Sequence, residues 1–166
     1  MEEKLIIPEN FPELMNLFVG DEFYMVREQV NYDKVASEGG NKYRFLHIMH
    51  HDDESLIPAA QRDFFFKMIN AIRTDKVSMD ADGFAVINTR DYPGLTWKNI
   101  EQLFSPKCCI FWGVDPMDME IVCRKYSGAL YNDCKIIYVD DIATISTTDS
   151  LKPQLWRLVK RMFGMP

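Results

Sequence analysis

Lys107-Cys108-Cys109-Ile110-Phe111-Trp112-Gly113-Val114-Asp115-Pro116 decides how the rest of the chain is read. Five apolar residues follow Lys107 and stop at Gly113. An unbroken apolar run suits a strand covered on both faces, as in a parallel sheet, better than the alternating run of a half-solvated strand. Asp115-Pro116 then carries a helix-start signal, a capping carboxylate before a first-turn proline. In parallel sheets ligands meet the loops at the carboxyl ends of the strands. Gly113 to Asp115 is therefore the first place to look for a site.

Outward from this strand, the same pattern recurs. Tyr43 to Met49 is an earlier strand that ends in the polar run His50-His51-Asp52-Asp53-Glu54. Pro58 opens a helix whose apolar face is Phe64, Phe65, Met68, Ile69 and Ile72. Asp80 to Gly83 turns the chain into the strand Phe84 to Ile87, which ends at Asn88-Thr89-Arg90-Asp91. Thr96 caps a helix bearing Trp97, Ile100, Leu103 and Phe104. After the central strand, a helix is expected from Pro116 to about Tyr126, broken by Gly128. Lys135 to Val139 is the last strand. Asp140 to Asp149 reads as a polar loop anchored by Ile142 and Ile145. Asp149 or Ser150 caps a final helix, Leu151 to Phe163, with Leu155, Leu158, Val159 and Met162 on one side.

Before all this, Leu14, Leu17 and Phe18 predict a short helix over 12–19, and 23–26 is a β-prone run. Residues 31–41 are polar and end in a clear turn. The expected division is an N-terminal helix and arm over 1–30 and one α/β domain over 31–166. Strand and helix alternating four times predict a three-layer α/β/α sandwich around a central, mostly parallel four-stranded sheet.

The bulk composition excludes several classes. With 47% hydrophobic and 27% charged residues in a 166-residue chain, the domain can bury a sizeable core. No apolar run approaches the roughly 20 residues of a membrane span. The start, Met1-Glu-Glu-Lys, lacks the basic, then apolar, pattern of a secretory leader, so a cytoplasmic setting is expected. The net charge of −6 argues against gripping a nucleic-acid backbone. The one basic concentration, Arg157, Lys160 and Arg161, reads as a solvated helix face. The four cysteines form no Cys-x-x-Cys pair and are expected as free thiols, with no metal and no cofactor. Neither common glycine-rich phosphate cradle occurs, and no nucleophile elbow.

Chemistry-bearing residues gather at the strand ends. All three histidines lie in His47-Ile48-Met49-His50-His51, beside Asp52, Asp53 and Glu54. Imidazoles near carboxylates serve as acid and base or as metal ligands. On a strand, His47 and His51 share a face and His50 points away. The alternative is a solvated strand end with a charged loop. His50, His51, Asp52, Asn88, Gly113 and Asp115 are the pocket candidates. Asp140 and Asp141 end the last strand, while Asp115 and Asp149 are also explained as helix caps.

Ile110-Phe111-Trp112-Gly113, followed by a helix, a strand and a loop into the last helix, resembles the second half of the uracil-DNA glycosylase-like fold, an α/β/α sandwich on a four-stranded parallel sheet. Active members carry a Gly-x-Asp-Pro type motif after the first strand and a His-Pro-Ser type motif after the last. Here those strands end in His50-His51-Asp52-Asp53 and Asp140-Asp141-Ile142-Ala143; Gly113-Val114-Asp115-Pro116 follows the third strand instead.

The closer resemblance is to the psi subunit family of the bacterial DNA polymerase III clamp loader, a non-catalytic branch of that fold. It rests on Cys109 to Gly113, Ile142-Ala143-Thr144-Ile145, the polar turn Ser146 to Asp149, Lys152, and Leu155-Trp156. It implies an adaptor that links clamp-loader subunits to another replisome protein, such as a chi-like protein. It also implies partner-binding residues in the amino-terminal segment: Phe11, Leu14, Leu17, Phe18 and Phe23. The alternatives are a glycosylase-like enzyme with a remodelled site and an α/β domain of unrelated role.

Overall fold

The computed structural model describes residues 30–166. The expected N-terminal helix, the run over 23–26 and the arm residues Phe11, Leu14, Leu17, Phe18 and Phe23 lie outside the described residues.

One sheet of five strands organises the domain: β1 (Phe45–Met49), β2 (Phe84–Asn88), β3 (Cys108–Trp112), β4 (Ser127–Tyr131) and β5 (Cys134–Val139), in the order β2-β1-β3-β5-β4. β2, β1, β3 and β5 run parallel; β4 pairs antiparallel with β5. The helices are α1 (Arg62–Asn70), α2 (Trp97–Phe104), α3 (Ile142–Thr147) and α4 (Lys152–Phe163). Every residue of β1, β2 and β3 is buried. Phe45, Met49, Ile110, Trp112 and Val139 face a layer made by α1, α3 and α4. Leu46, Ile48, Cys109, Phe111 and Ile136 face the opposite layer, where α2 packs with Val114, Met119 and Ile121. The two-sided burial inferred from the apolar run is thus met, at about 1.5–3 kcal/mol for each large side chain removed from water. All four cysteines are free.

Four expectations are corrected. The sheet has five strands, not four, because Ser127–Tyr131 is a strand rather than the sequel to a helix. The helix expected from Pro116 to Tyr126 is a single 3₁₀ turn, Pro116–Met119, closed by Glu120 at φ 62°. Pro116, Met119 and Ile121 are buried, but Met117 and Val122 are exposed and nothing from Val122 to Tyr126 is buried. The burial therefore stops after little more than one turn, and the left-handed Glu120 takes the chain out of the helical path. The expected loop after β5 contains α3. Asp141 caps it by accepting the Thr144 N–H at 2.9 Å, and Ile142 and Ile145, three apart, are both buried. At the start of α4, neither Asp149 nor Ser150 is the side-chain cap; Asp149 instead pairs with Lys152 at 2.7 Å.

The polar segment ahead of β1 covers the free edge of β2. Glu38 exchanges both backbone hydrogen bonds with Val86, and Arg62 of α1 holds the Glu38 carboxylate. Tyr32 donates to the Pro93 carbonyl and packs edge-on against Tyr92. An exposed edge would otherwise invite pairing with another chain.

Candidate functional site

The carboxyl ends of β1, β2, β3 and β5 bring the sequence candidates to one rim of the sheet. Because Met49 pairs with both Asn88 and Trp112, the residues that follow β1 lie between Thr89 on one side and Gly113 on the other. Each candidate has a local partner there.

Asn88 is only 2% exposed. Its side-chain oxygen accepts the backbone N–H groups of His51 and Arg90, and its amide donates to the His51 carbonyl at 2.8 Å. A buried amide needs such partners, and the neighbouring strand's exit supplies them. The His51 ring, half-buried, is joined through Nε2 to the Leu56 carbonyl at 2.9 Å. His50 meets the Thr89 hydroxyl through Nδ1 at 3.0 Å. Asp52 offers its backbone carbonyl to the Arg90 guanidinium, which also donates to the Asp53 carbonyl and to both carboxylate oxygens of Asp91. That pairing raises the Arg90 pKa and lowers that of Asp91. The Asp53 carboxylate accepts the Ala59 N–H.

The other half of the rim is similarly committed. Gly113 has φ 67°, donates its N–H to the Val139 carbonyl, and sits so close to Asp141 that a Cβ would lie 3.1 Å from the Asp141 Cα. Asp115 caps the following turn through the Met117 N–H. Asp140 binds Lys125 at 2.6 Å and accepts the Tyr126 hydroxyl at 2.9 Å. The lysine partner, above all, lowers the Asp140 pKa, while burial and then this contact push Tyr126 up to about 12.

His47 does not join His50 and His51. It is fully buried inside β1, among Phe45, Phe65, Phe84 and Trp112. The expected sharing of a face with His51 fails because β1 ends at Met49 and strand alternation ends with it. Among the described residues no three His, Cys, Asp or Glu side chains gather as a metal site would require. The strand ends bring these residues to one rim, where the Asn88, His51 and Asp115 side chains bond backbone groups, His50 bonds the Thr89 hydroxyl and Asp52 offers its main-chain carbonyl. Arg90, whose fork ties the loop after β1 to the turn after β2, stands at the strand end in the sequence with Asn88 and Asp91 but outside the pocket candidates.

Two surface depressions lie away from this rim. One, about 380 Å³, runs along α4 past Pro153, Trp156, Arg157, Lys160, Arg161 and Met165. The other, about 570 Å³, lies between residues 33–37 and Tyr92, Leu103 and Phe104. Among the described residues no helix is long and apolar enough to cross a membrane. No family model and no curated protein matches the chain.

Proposed function

We propose that the chain is a non-catalytic adaptor resembling the psi subunit of the bacterial DNA polymerase III clamp loader, with the uracil-DNA glycosylase-like arrangement of its sandwich, joining clamp-loader subunits to another replisome protein such as a chi-like one. The observation that supports this reading is the hydrogen bonding of the strand exits to one another along the rim. Where an enzyme of this architecture would open its site, the Asn88 amide, the Arg90 guanidinium and the Gly113 N–H tie neighbouring strand exits together. The residues of the resemblance fit a scaffold: Ile142, Ile145 and Leu155 are buried against the sheet, and Trp156 stands half-exposed beside them. Four parallel strands with helices on both faces agree with the implied fold, and β4 is an addition at its edge.

The test is capture of purified clamp-loader subunits on the immobilised full chain. Stoichiometric retention is expected; recovery of none of them overturns the adaptor reading. Turnover on damaged-base DNA that disappears in His51→Ala would establish the enzyme alternative instead.

A further inference from the structure

Helix α4 carries two stripes. Leu155, Leu158, Val159 and Met162 face the sheet and are buried. Pro153, Trp156, Arg157, Lys160 and Arg161 follow at i, i+3, i+4, i+7 and i+8, which places them along the outer side as one face. Gly164 at φ 65° ends the helix and turns the tail back, so that the Met165 N–H bonds the Lys160 carbonyl at 2.8 Å and Met165 joins that face. The result is the groove of about 380 Å³, with an indole, a thioether and a proline ring beside three cations. Arg157 and Arg161 are exposed, and none of the three cations is ion-paired among the described residues. Cations in the last turn also offset the helix dipole, but that accounts for neither the half-exposed Trp156 nor the apolar floor between the charges.

We propose that this outer face of α4 docks a short acidic peptide segment of a partner protein, bearing carboxylates around one bulky apolar side chain. Charge complementarity selects the occupant. The three cations lie within about 6 Å along the helix axis, enough for two or three carboxylates. The rest of a chain whose net charge is −6 repels an extended polyanion beyond that turn. A guanidinium fork takes a carboxylate with two parallel hydrogen bonds, and the apolar side chain of the segment settles on Trp156 and Met165. This goes beyond the clamp-loader reading and does not depend on it.

The full chain is titrated with a fluorescein-labelled peptide, Glu-Asp-Glu-Leu-Phe-Glu-Asp, and separately with labelled oligothymidylate. Trp97 and Trp112 are already buried, at 4% and 1% exposure, so a change in indole emission on binding reports Trp156. Saturable peptide binding with a blue shift is expected, weakened about tenfold or more by Arg157→Glu with Arg161→Glu. Arg157→Gln with Arg161→Gln is a milder pair, and unchanged thermal unfolding confirms that either variant is folded. Failure to saturate, equal binding by the variants, or tighter binding of oligothymidylate than of peptide each overturns the proposal.

Discussion

The indole N–H of Trp112 donates to Nδ1 of His47 at 3.1 Å, inside the core between β3 and β1. The contact fixes the neutral tautomer with the proton on Nε2, an atom with no hydrogen-bond partner among the described residues. Burial drives the His47 pKa from 6.5 down to about 3. The unfolded chain therefore binds a proton that the folded chain refuses. The stabilisation is fully present above pH 6.5 and is lost progressively as pH falls from there toward 3. The loss over that window is on the order of 4 kcal/mol. Urea denaturation at a series of pH values checks this: His47→Phe should flatten the dependence between pH 6 and pH 4, roughly the window set by the histidine.

Trp112→Phe keeps an aromatic ring but removes the donor. Nδ1 of His47 is then a second unpaired buried atom, beside a small void. A destabilisation of about 2–4 kcal/mol is expected from the lost bond and the lost volume together. Equilibrium denaturation measures it, and a change below about 1 kcal/mol would show that the hydrogen bond contributes little.

Gly113→Ala should cost about 2 kcal/mol or more, combining left-handed backbone strain with the approach to Asp141. The displaced Asp141 would also release the Thr144 cap of α3. Denaturation midpoints report the first effect, and faster amide exchange in residues 142–147 reports the second.

Asn88→Ala removes the amide that joins the exits of β1 and β2. The backbone N–H groups of His51 and Arg90 and the His51 carbonyl all lose a partner. A loss of about 2–4 kcal/mol is expected. Protection of the His51 amide against hydrogen exchange should collapse in the variant; unchanged protection would mean that the rim is held by other contacts.

The regular part of this fold was legible because burial leaves a periodic trace. The strands at Phe45, Phe84, Cys108 and Cys134 are apolar runs, and the inner faces of α1 and α4 recur at helical spacing. The rim was legible only as a set of residue types. That Asn88 serves the backbone of His51 depends on parallel register between segments 37 residues apart, which no local pattern encodes. The assignment of His47 failed for a related reason: alternation predicts a face only while the strand lasts. Strand β4 does leave a local trace in the sequence. Ser127 to Tyr131 and Cys134 to Val139 flank Asn132-Asp133, a two-residue hairpin turn in residue types that tolerate positive φ. The apolar residues before them, in 117–122, mimic a helical pattern, but only the 3₁₀ turn Pro116–Met119 forms there.

That turn carries the last prediction. Asn132 and Asp133 have φ of 47° and 62°, and Tyr131 pairs directly with Cys134. Both central residues therefore occupy the left-handed region that a mirror-image hairpin turn demands. Asn tolerates it; Asp does so less readily than Gly, which has no Cβ to meet its own carbonyl. Asp133 is exposed and appears in none of the side-chain hydrogen bonds or ion pairs of the described residues, so its replacement removes strain without removing a contact. Asp133→Gly is expected to stabilise the protein by about 0.5–1 kcal/mol, less the flexibility that glycine adds to the unfolded chain. Asp133→Val, which puts a β-branched side chain at the same φ, should destabilise by about 1–2 kcal/mol. Thermal unfolding of the pair decides it. If Gly and Val shift the midpoint in the same direction, the left-handed turn does not set the register of β4 on β5.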